Sequence, residues 1–475
     1  MNLKMRISVG VLIVVLLMST VCIPVAANSA IREWAGSTAH GVVSGDGQCP
    51  IGVLHETLTF DIPHFPNGEY DRYAAKVTAE YTLQNPSQQD VTVKLAFPFG
   101  QRPSYPYFNE EDIDESKYGV WLNGEPVKVQ LRHTYHYGQF NLQTDLPKLC
   151  DAYLEHEFYS KELPVTHYVY EVHKAAKETK NANAWAELLI DKSLGDSTRL
   201  LVPDSVLLCD AAGDIIRVNV SPGEARQLID VYVLGAAIET IPAWRLQYSN
   251  SALPFDGEVN LISTDTLTYY ELAMLDYEGH ESIAEQDWYN AITESFIALE
   301  WKHRIIPTHY EGLDISEFLM QWYEYEITVG AGQTVQNSVM APIFPGVSER
   351  YEPPIYSYTY LLSPATTWAS FGTLDVIINT PYYLVQDTYR YEKVEGGYQK
   401  HYDSLPTGEL SFKLSSDENP KNVGAPNFAG MLFGFLAILF GSFFIGIVGI
   451  ILAIVIAILI LVAIVRAIRR RHRYY

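Results

Sequence analysis

The sequence predicts a mainly β protein: antiparallel β-sandwich-like domains, a mixed α+β middle segment, and a C-terminal transmembrane helix. Three observations predict it. Apolar residues alternate with polar ones in many short runs. The chain carries 33 tyrosines, 19 phenylalanines and 8 tryptophans, the large rings that half-buried sheets favour. Near the end, from Phe428 to Val465, 38 consecutive residues carry no charge.

With 475 residues, 48% apolar and 19% charged, the chain is long enough for two or three packed domains and is neither a disordered polyampholyte nor a polytopic membrane protein. Its formal charge of -23 is unevenly spread. All 56 acidic residues lie between positions 28 and 427 with 26 of the 33 basic ones, so this segment carries -30. So acidic a surface repels phosphate backbones, and a nucleic-acid role is set aside.

Residues 1–27 read as a signal peptide. Lys4 and Arg6 precede an apolar run from Val9 to Met18, and Pro24, Ala26 and Ala27 follow, with cleavage expected after Ala27. Val21 stands before Cys22, where a lipobox needs a small residue.

The segment 28–150 reads as a first β-sandwich-like domain. Val77, Ala79, Tyr81 and Leu83 alternate with polar partners, Asn85, Pro86 and Ser87 interrupt, and Val91, Val93, Leu95 and Phe97 alternate again. This pattern predicts a hairpin with one face in a core. Asn123 and Gly124, between apolar flanks, predict a second hairpin with a type I′ turn.

The segment 151–305 reads as a mixed α/β or an elaborated β domain, and the sequence leaves both open. Asp151 to Tyr159 and Asn183 to Lys192 read as short helices, while Val165 to Val172, Arg199 to Val202 and Ile229 to Leu234 read as strands. Ser282 and Glu285 have capping-box spacing, and Ile283, Trp288, Ile292, Phe296 and Leu299 then recur at helical spacing.

The segment 306–415 reads as a membrane-proximal β-sandwich-like domain. Leu319, Tyr323, Tyr325, Ile327 and Val329 share one parity, Gly330 to Gly332 turn, and Thr334 begins the return. Strands follow at Tyr356 to Leu362, Leu374 to Ile378 and Leu410 to Leu414. Tyr356, Tyr358 and Tyr360 fall on one face with Ser357 and Thr359 on the other, so the rings are expected in the core.

Residues 416–427 form a short linker, 428–465 the transmembrane segment and 466–475 a basic cytoplasmic tail. A bilayer core of about 30 Å needs roughly 20 helical residues, so the apolar segment exceeds one span. Either one helix crosses, most economically from Gly446 to Val465, or the chain turns near Gly441 and Ser442 into a helical hairpin. The hairpin exports Arg466, Arg469, Arg470, Arg471 and Arg473 against the positive-inside tendency, which favours the single span. Gly430, Gly434 and Gly441 share one helical face, on which homo-association is expected.

The stretches Tyr81 to Pro86 (YTLQNP) and Leu95 to Phe99 (LAFPF), and Tyr358 to Ala365 (YTYLLSPA) with Trp368, Phe371 and Gly372, resemble sandwich domains of uncharacterised bacterial membrane-anchored surface proteins. The resemblance covers roughly 60 residues, and its motifs are structural. It implies fold and location and brings no catalytic residue with it.

Chemistry leaves little trace. No phosphate loop, dinucleotide fingerprint, zincin helix, nucleophile elbow or EF-hand loop has the required spacing. His133 and His136 fall on opposite faces of one strand, which a shared metal ion, with or without Glu155, His156 and Glu157, would not tolerate, and they read as surface histidines. Asn109 to Glu115 reads as a solvated acidic loop. Cys49, Cys150 and Cys209 allow at most one bridge, Cys150 to Cys209 being the pair considered. No catalytic, cofactor-binding or metal-ligating residue is assigned. The expected role is binding or scaffolding by a single-pass surface protein of the cell envelope, its N-terminal domain outside. The alternatives are an accessory extracellular subunit of a membrane complex and a hydrolase of envelope polysaccharide.

Overall fold

The computed structural model describes residues 49–423, with the short strands Glu33–Trp34, Thr38–His40 and Val43–Ser44, and leaves outside the description 1–32, 35–37, 41–42, 45–48, 65–74, 102–117, 138–140, 176–183, 191–194, 210–213, 221–223, 239–242, 249–253, 301–304, 307–313, 387–388 and 424–475. The signal peptide, the acidic run 109–115, the apolar segment with Gly430, Gly434 and Gly441, and the basic tail therefore lie outside the described residues. Among the described residues no helix is long and apolar enough to cross a membrane.

The protein is mainly β. Its largest sheet runs, in spatial order, Glu392–Val394, Gly397–Tyr402, Phe371–Asn379, Gly52–Asp61, Lys76–Gln84, Thr334–Pro342, Gly119–Leu122 and Glu125–Pro126. Pairing is antiparallel except between Phe371–Asn379 and Gly52–Asp61. One core joins its inner face to two further sheets, one containing Val91–Gln101 and Leu319–Val329, the other Ile355–Leu361 and Leu410–Ser415. The segments 28–150 and 306–415 therefore do not form separate sandwiches. Their strands interleave around a shared core.

Alternation placed the side chains correctly and the strand partners wrongly. Val77, Ala79, Tyr81, Leu83, Val93, Leu95 and Phe97 are all buried. Yet Lys76–Gln84 pairs with Thr334–Pro342 in one sheet, and Val91–Gln101 pairs with Leu319–Val329 in another. The expected hairpin is an arch between layers, and the chain through Gly330 to Gly332 is a second arch beside it. Asn85, fully buried, fastens the two: its Nδ2 donates to Gln89 O at 2.8 Å and to Val329 O at 2.9 Å, its Oδ1 accepts from Ser87 N at 3.0 Å, and its own N–H reaches Gln333 O at 3.0 Å. The Asn-Gly hairpin forms as expected, with φ of 51° at Asn123 and 84° at Gly124, both positive as a type I′ turn requires.

Residues 136–318 are an insertion into this sandwich. The chain leaves strand Gln130–Tyr135 and returns in Leu319–Val329, and these two strands pair with Leu319 opposite Tyr135. Within the insertion, a five-stranded sheet centred on Pro164–Lys174 and Arg226–Gly235 shares one core with a four-stranded sheet containing Ala184–Ile190. A second core joins the five-stranded sheet to the helices Tyr269–Ala273 and Glu285–Leu299 and to Tyr135 and Leu319 of the sandwich.

Three local expectations are corrected. Ala184–Ile190 is a strand, because pairing on both edges outweighs the helix propensity of its Ala, Glu and Leu residues. Residues 151–159 are irregular, because side chains take their backbone groups: Asn290 Nδ2 donates to Ala152 O at 3.0 Å and its Oδ1 accepts from Leu154 N at 2.7 Å. The Glu285–Leu299 helix forms on the expected apolar spacing, with Trp288, Ile292 and Phe296 buried, but its N-cap is Ala284 and makes no side-chain cap bond. The capping box is at Thr268 and Glu271, opening the shorter helix.

Cys49 and Cys150 are free thiols. The Cys150 thiol donates to Ala152 O at 3.1 Å and accepts from Asn290 Nδ2 at 3.3 Å, so the considered bridge to Cys209 is not formed.

Tyr356, Tyr358 and Tyr360 face the core, with Tyr358 stacked on Phe412 at 5.3 Å between ring centroids. Tyr358→Ala is expected to lower the unfolding free energy by about 3 kcal/mol, in the range of buried aromatic truncations. Denaturant unfolding checks this, and a loss within roughly 0.5 kcal/mol would mark the ring as a surface group.

Candidate functional site

Three polar constellations stand out, and two are centred on a buried charge. The first joins insertion to sandwich. Arg132 on Gln130–Tyr135 is 2% exposed and donates from Nε to both Asp287 carboxylate oxygens at 3.1 Å, from Nη1 to Glu324 at 3.1 Å and from Nη2 to Cys150 O at 2.7 Å. Burial works against its charge, but Asp287, Glu324 and Asp151 hold the guanidinium above its ordinary pKa. The second is Glu187, fully buried between Arg217 and Arg245, which stand opposite it on the two flanking strands and reach it through Nε at 2.9 Å each. Burial works against ionisation of Glu187, and the two arginines lower its pKa. In both clusters the buried charge, Arg132 or Glu187, is met by charges of opposite sign, which suits fixing elements in place.

His133 and His136 belong to the buried polar interior and are not surface groups, while His156 is partly buried. His133 and His136 are 3% and 6% exposed. The His133 N–H donates to Asp287 at 2.9 Å, and His136 Nδ1 lies 3.6 Å from Asp145. His156 accepts at Nδ1 from the Phe158 and Tyr159 N–H groups. Among the described residues no three metal-ligating side chains come together.

The third constellation is open. It lies on the outer face of the large sheet, where Gly52–Asp61, Phe371–Asn379 and Gly397–Tyr402 run side by side. Val376 and Ile378 point into the core, so Asp375 points out, and the register sets it between Thr57 and His401. Asp375 Oδ1 accepts from His401 Nδ1 at 2.6 Å, and Asp375 Oδ2 lies 3.5 Å from His55 Nε2. His55 also bonds the hydroxyls of Thr373 at 2.7 Å and Thr57 at 3.1 Å. The Asp375 carboxylate raises the His401 pKa above the usual histidine value, with Asp403 adding to it. Asp375, His401, Gln399, Arg390, Glu392 and Lys400 line a cavity of ≈ 490 Å³.

Hydroxyl, imidazole and carboxylate follow one another here as in a nucleophile relay. The distances oppose that use. At 3.5 Å, Asp375 is too far from His55 to orient it, and its short bond goes to His401. Glu56 and Glu294, whose carboxyls burial raises to about 7 and about 8, do not line the cavity. What remains is a face of both charges with several donors and acceptors, suited to holding a polar ligand. Sequence reasoning missed it, because His55 and Thr373 lie 318 positions apart. The one available signal was polar side chains at the outward parity of both strands.

No family model matches the sequence, and no curated protein matches it. Among solved structures the chain is similar to a Legionella pneumophila protein proposed to bind nutrients, with a TM-score of 0.31 and 10% identity over 80% of this chain and 72% of that one. At that score the likeness carries neither fold nor function across.

Proposed function

We propose that the chain is a single-pass surface protein of the cell envelope whose exported β ectodomain binds a polar ligand on the outer face of its large sheet. The signal-peptide pattern of residues 1–27, the apolar segment 428–465 and the arginine tail support the topology. The observation that carries binding is the open cavity around Asp375, which is held by His401 at 2.6 Å beside Arg390, Gln399 and Lys400. Charges of both signs suit a ligand rich in hydroxyls or one that is itself zwitterionic, such as envelope saccharide.

The test uses the full chain with a tag after Tyr475 in intact cells. Protease applied outside is expected to remove the ectodomain and spare the tag. Sedimentation with isolated envelope polysaccharide is expected to retain the parent and to lose about tenfold in affinity in Asp375→Ala, the scale of a lost charge-assisted hydrogen bond. Equal retention of parent and variant would sink the site, and loss of the tag with cells sealed would sink the topology.

A further inference from the structure

A second cavity, of ≈ 540 Å³, lies at the end of the sandwich where the chain departs toward its apolar segment. Its polar lining comprises Ser348, Arg350, Tyr351, Gln386, Lys413 and Asn422, beside the Ser357 hydroxyl. The described residues that line it include two cations, Arg350 and Lys413, and no carboxylate, in a protein of formal charge -23. We propose that this cavity is an anion site that receives a phosphate group, in the form presented by the headgroup of an anionic membrane lipid.

The backbone explains how Glu352, next to Tyr351 in sequence, stays out of the lining. Tyr351–Glu352 pairs with Lys421–Asn422, with Tyr351 opposite Asn422 and Glu352 opposite Lys421. Successive side chains of a strand point to opposite faces, so the Tyr351 and Asn422 pair faces the cavity and Glu352 is carried to the other face beside Lys421. Lys413 stands opposite Ser357 and Val385 on its two neighbouring strands, and its Nζ donates to Gln386 Oε1 at 2.9 Å, which fixes the ammonium at the rim. The result is a point charge and a guanidinium around neutral donors, the equipment by which proteins recognise phosphate oxygens.

Position favours lipid as the source. The N–H of Val423, the last described residue, donates to Arg350 O at 2.7 Å, so the chain's exit is tied to the residue that supplies the guanidinium. Only 424–427 separate it from Phe428, and four residues span at most about 14 Å when fully extended. The lipid source rests on the anchored reading, whereas the anion chemistry of the cavity does not.

The experiment takes the full chain in mild detergent and measures binding of phosphatidylglycerol, of phosphatidylcholine and of soluble glycerol phosphate. It compares the parent with Arg350→Gln/Lys413→Gln and with Lys421→Gln, and the melting temperature checks that each variant is folded. The parent is expected to bind phosphatidylglycerol about tenfold more tightly than the double variant, less tightly at high salt, with Lys421→Gln unchanged. Glycerol phosphate binding that matches the lipid and is lost in the double variant would support the anion site and assign it to a soluble phosphate ester. Equal binding by parent and double variant, or no preference for phosphatidylglycerol over phosphatidylcholine together with no binding of glycerol phosphate, overturns the proposal. Because the soluble arm needs no membrane, a failed topology and a failed anion site give different results.

Discussion

Arg132→Ala is expected to cost the protein about 3–5 kcal/mol of stability, the range for breaking a buried ion pair by removing one partner. The side chain is 2% exposed, and Asp287 and Glu324, which share its charge, are 4% and 6% exposed as residues. Without the guanidinium two carboxylates stay buried. Asp287 keeps only the His133 N–H at 2.9 Å, and Glu324 keeps Lys94 at 2.9 Å. Lys94 is the control within the same network: its side chain is 45% exposed, so Lys94→Ala should cost no more than about 1 kcal/mol. The network also decides where the damage appears. Arg132 belongs to a sandwich strand, Asp287 to the inserted helix Glu285–Leu299, and Cys150 to the irregular segment between them. Hydrogen exchange should therefore rise first in that helix and in 150–154 while Lys76–Gln84 stays protected. Losses of equal size in Arg132→Ala and Lys94→Ala would show that the cluster does not hold the insertion.

Much of this architecture is legible one strand at a time and almost none of it between strands. The parity of Val77 to Leu83 and of Tyr356 to Tyr360 shows which side chains meet the core, because a pleated strand has two faces and only one is dry. Parity is silent about partners. A run, a break at Asn85 and a second run suit a hairpin and an arch equally, and the arch forms because Leu319–Val329 and Thr334–Pro342, more than 200 residues later, supply a partner strand for each leg. The insertion is hidden for the same reason: the pairing of Tyr135 with Leu319 leaves no local mark. Ala184–Ile190 misleads more directly, since its composition favours a helix and only the flanking Arg217 and Arg245 strands reveal why Glu187 sits at its centre. At the candidate site the same limit applies to chemistry. His55, Asp375 and His401 are unremarkable one by one, and the sheet register makes them neighbours. Helical spacing, by contrast, is local, and the Trp288, Ile292 and Phe296 face could be read directly.

Stability is expected to be highest in mildly acidic solution and to fall by several kcal/mol between about pH 5 and pH 8, because two buried carboxyls resist ionisation. Glu56 points into the sandwich core at 1% exposure, where burial raises its pKa from 4.5 to about 7, against hydrogen bonds from Tyr81 and Tyr360 that lower it. Glu294 lies on the inserted helix, where burial raises its carboxyl to about 8, with Lys148 at 3.9 Å lowering it and Asp145 raising it. A folded pKa above the unfolded one means that the native state holds the proton more tightly. The contribution is therefore complete below pH 4.5 and is lost as pH rises through 7 for Glu56 and through 8 for Glu294. For Glu56 alone the shift is worth about 3 kcal/mol. On the acid side the sign reverses. Burial works against Asp145, but His136, Lys148 and the Asn141 N–H hold its pKa at about 2, so its contribution is present above 3.8 and is lost as pH falls through 2. Denaturant unfolding at pH 5 and pH 8 should therefore show Glu56→Gln close to the parent at pH 5 and more stable than the parent at pH 8. Glu56→Gln/Glu294→Gln should remove most of the decline over the same interval. A double variant that still declines as steeply as the parent would place the titration elsewhere and leave both carboxyls ionised in the folded protein.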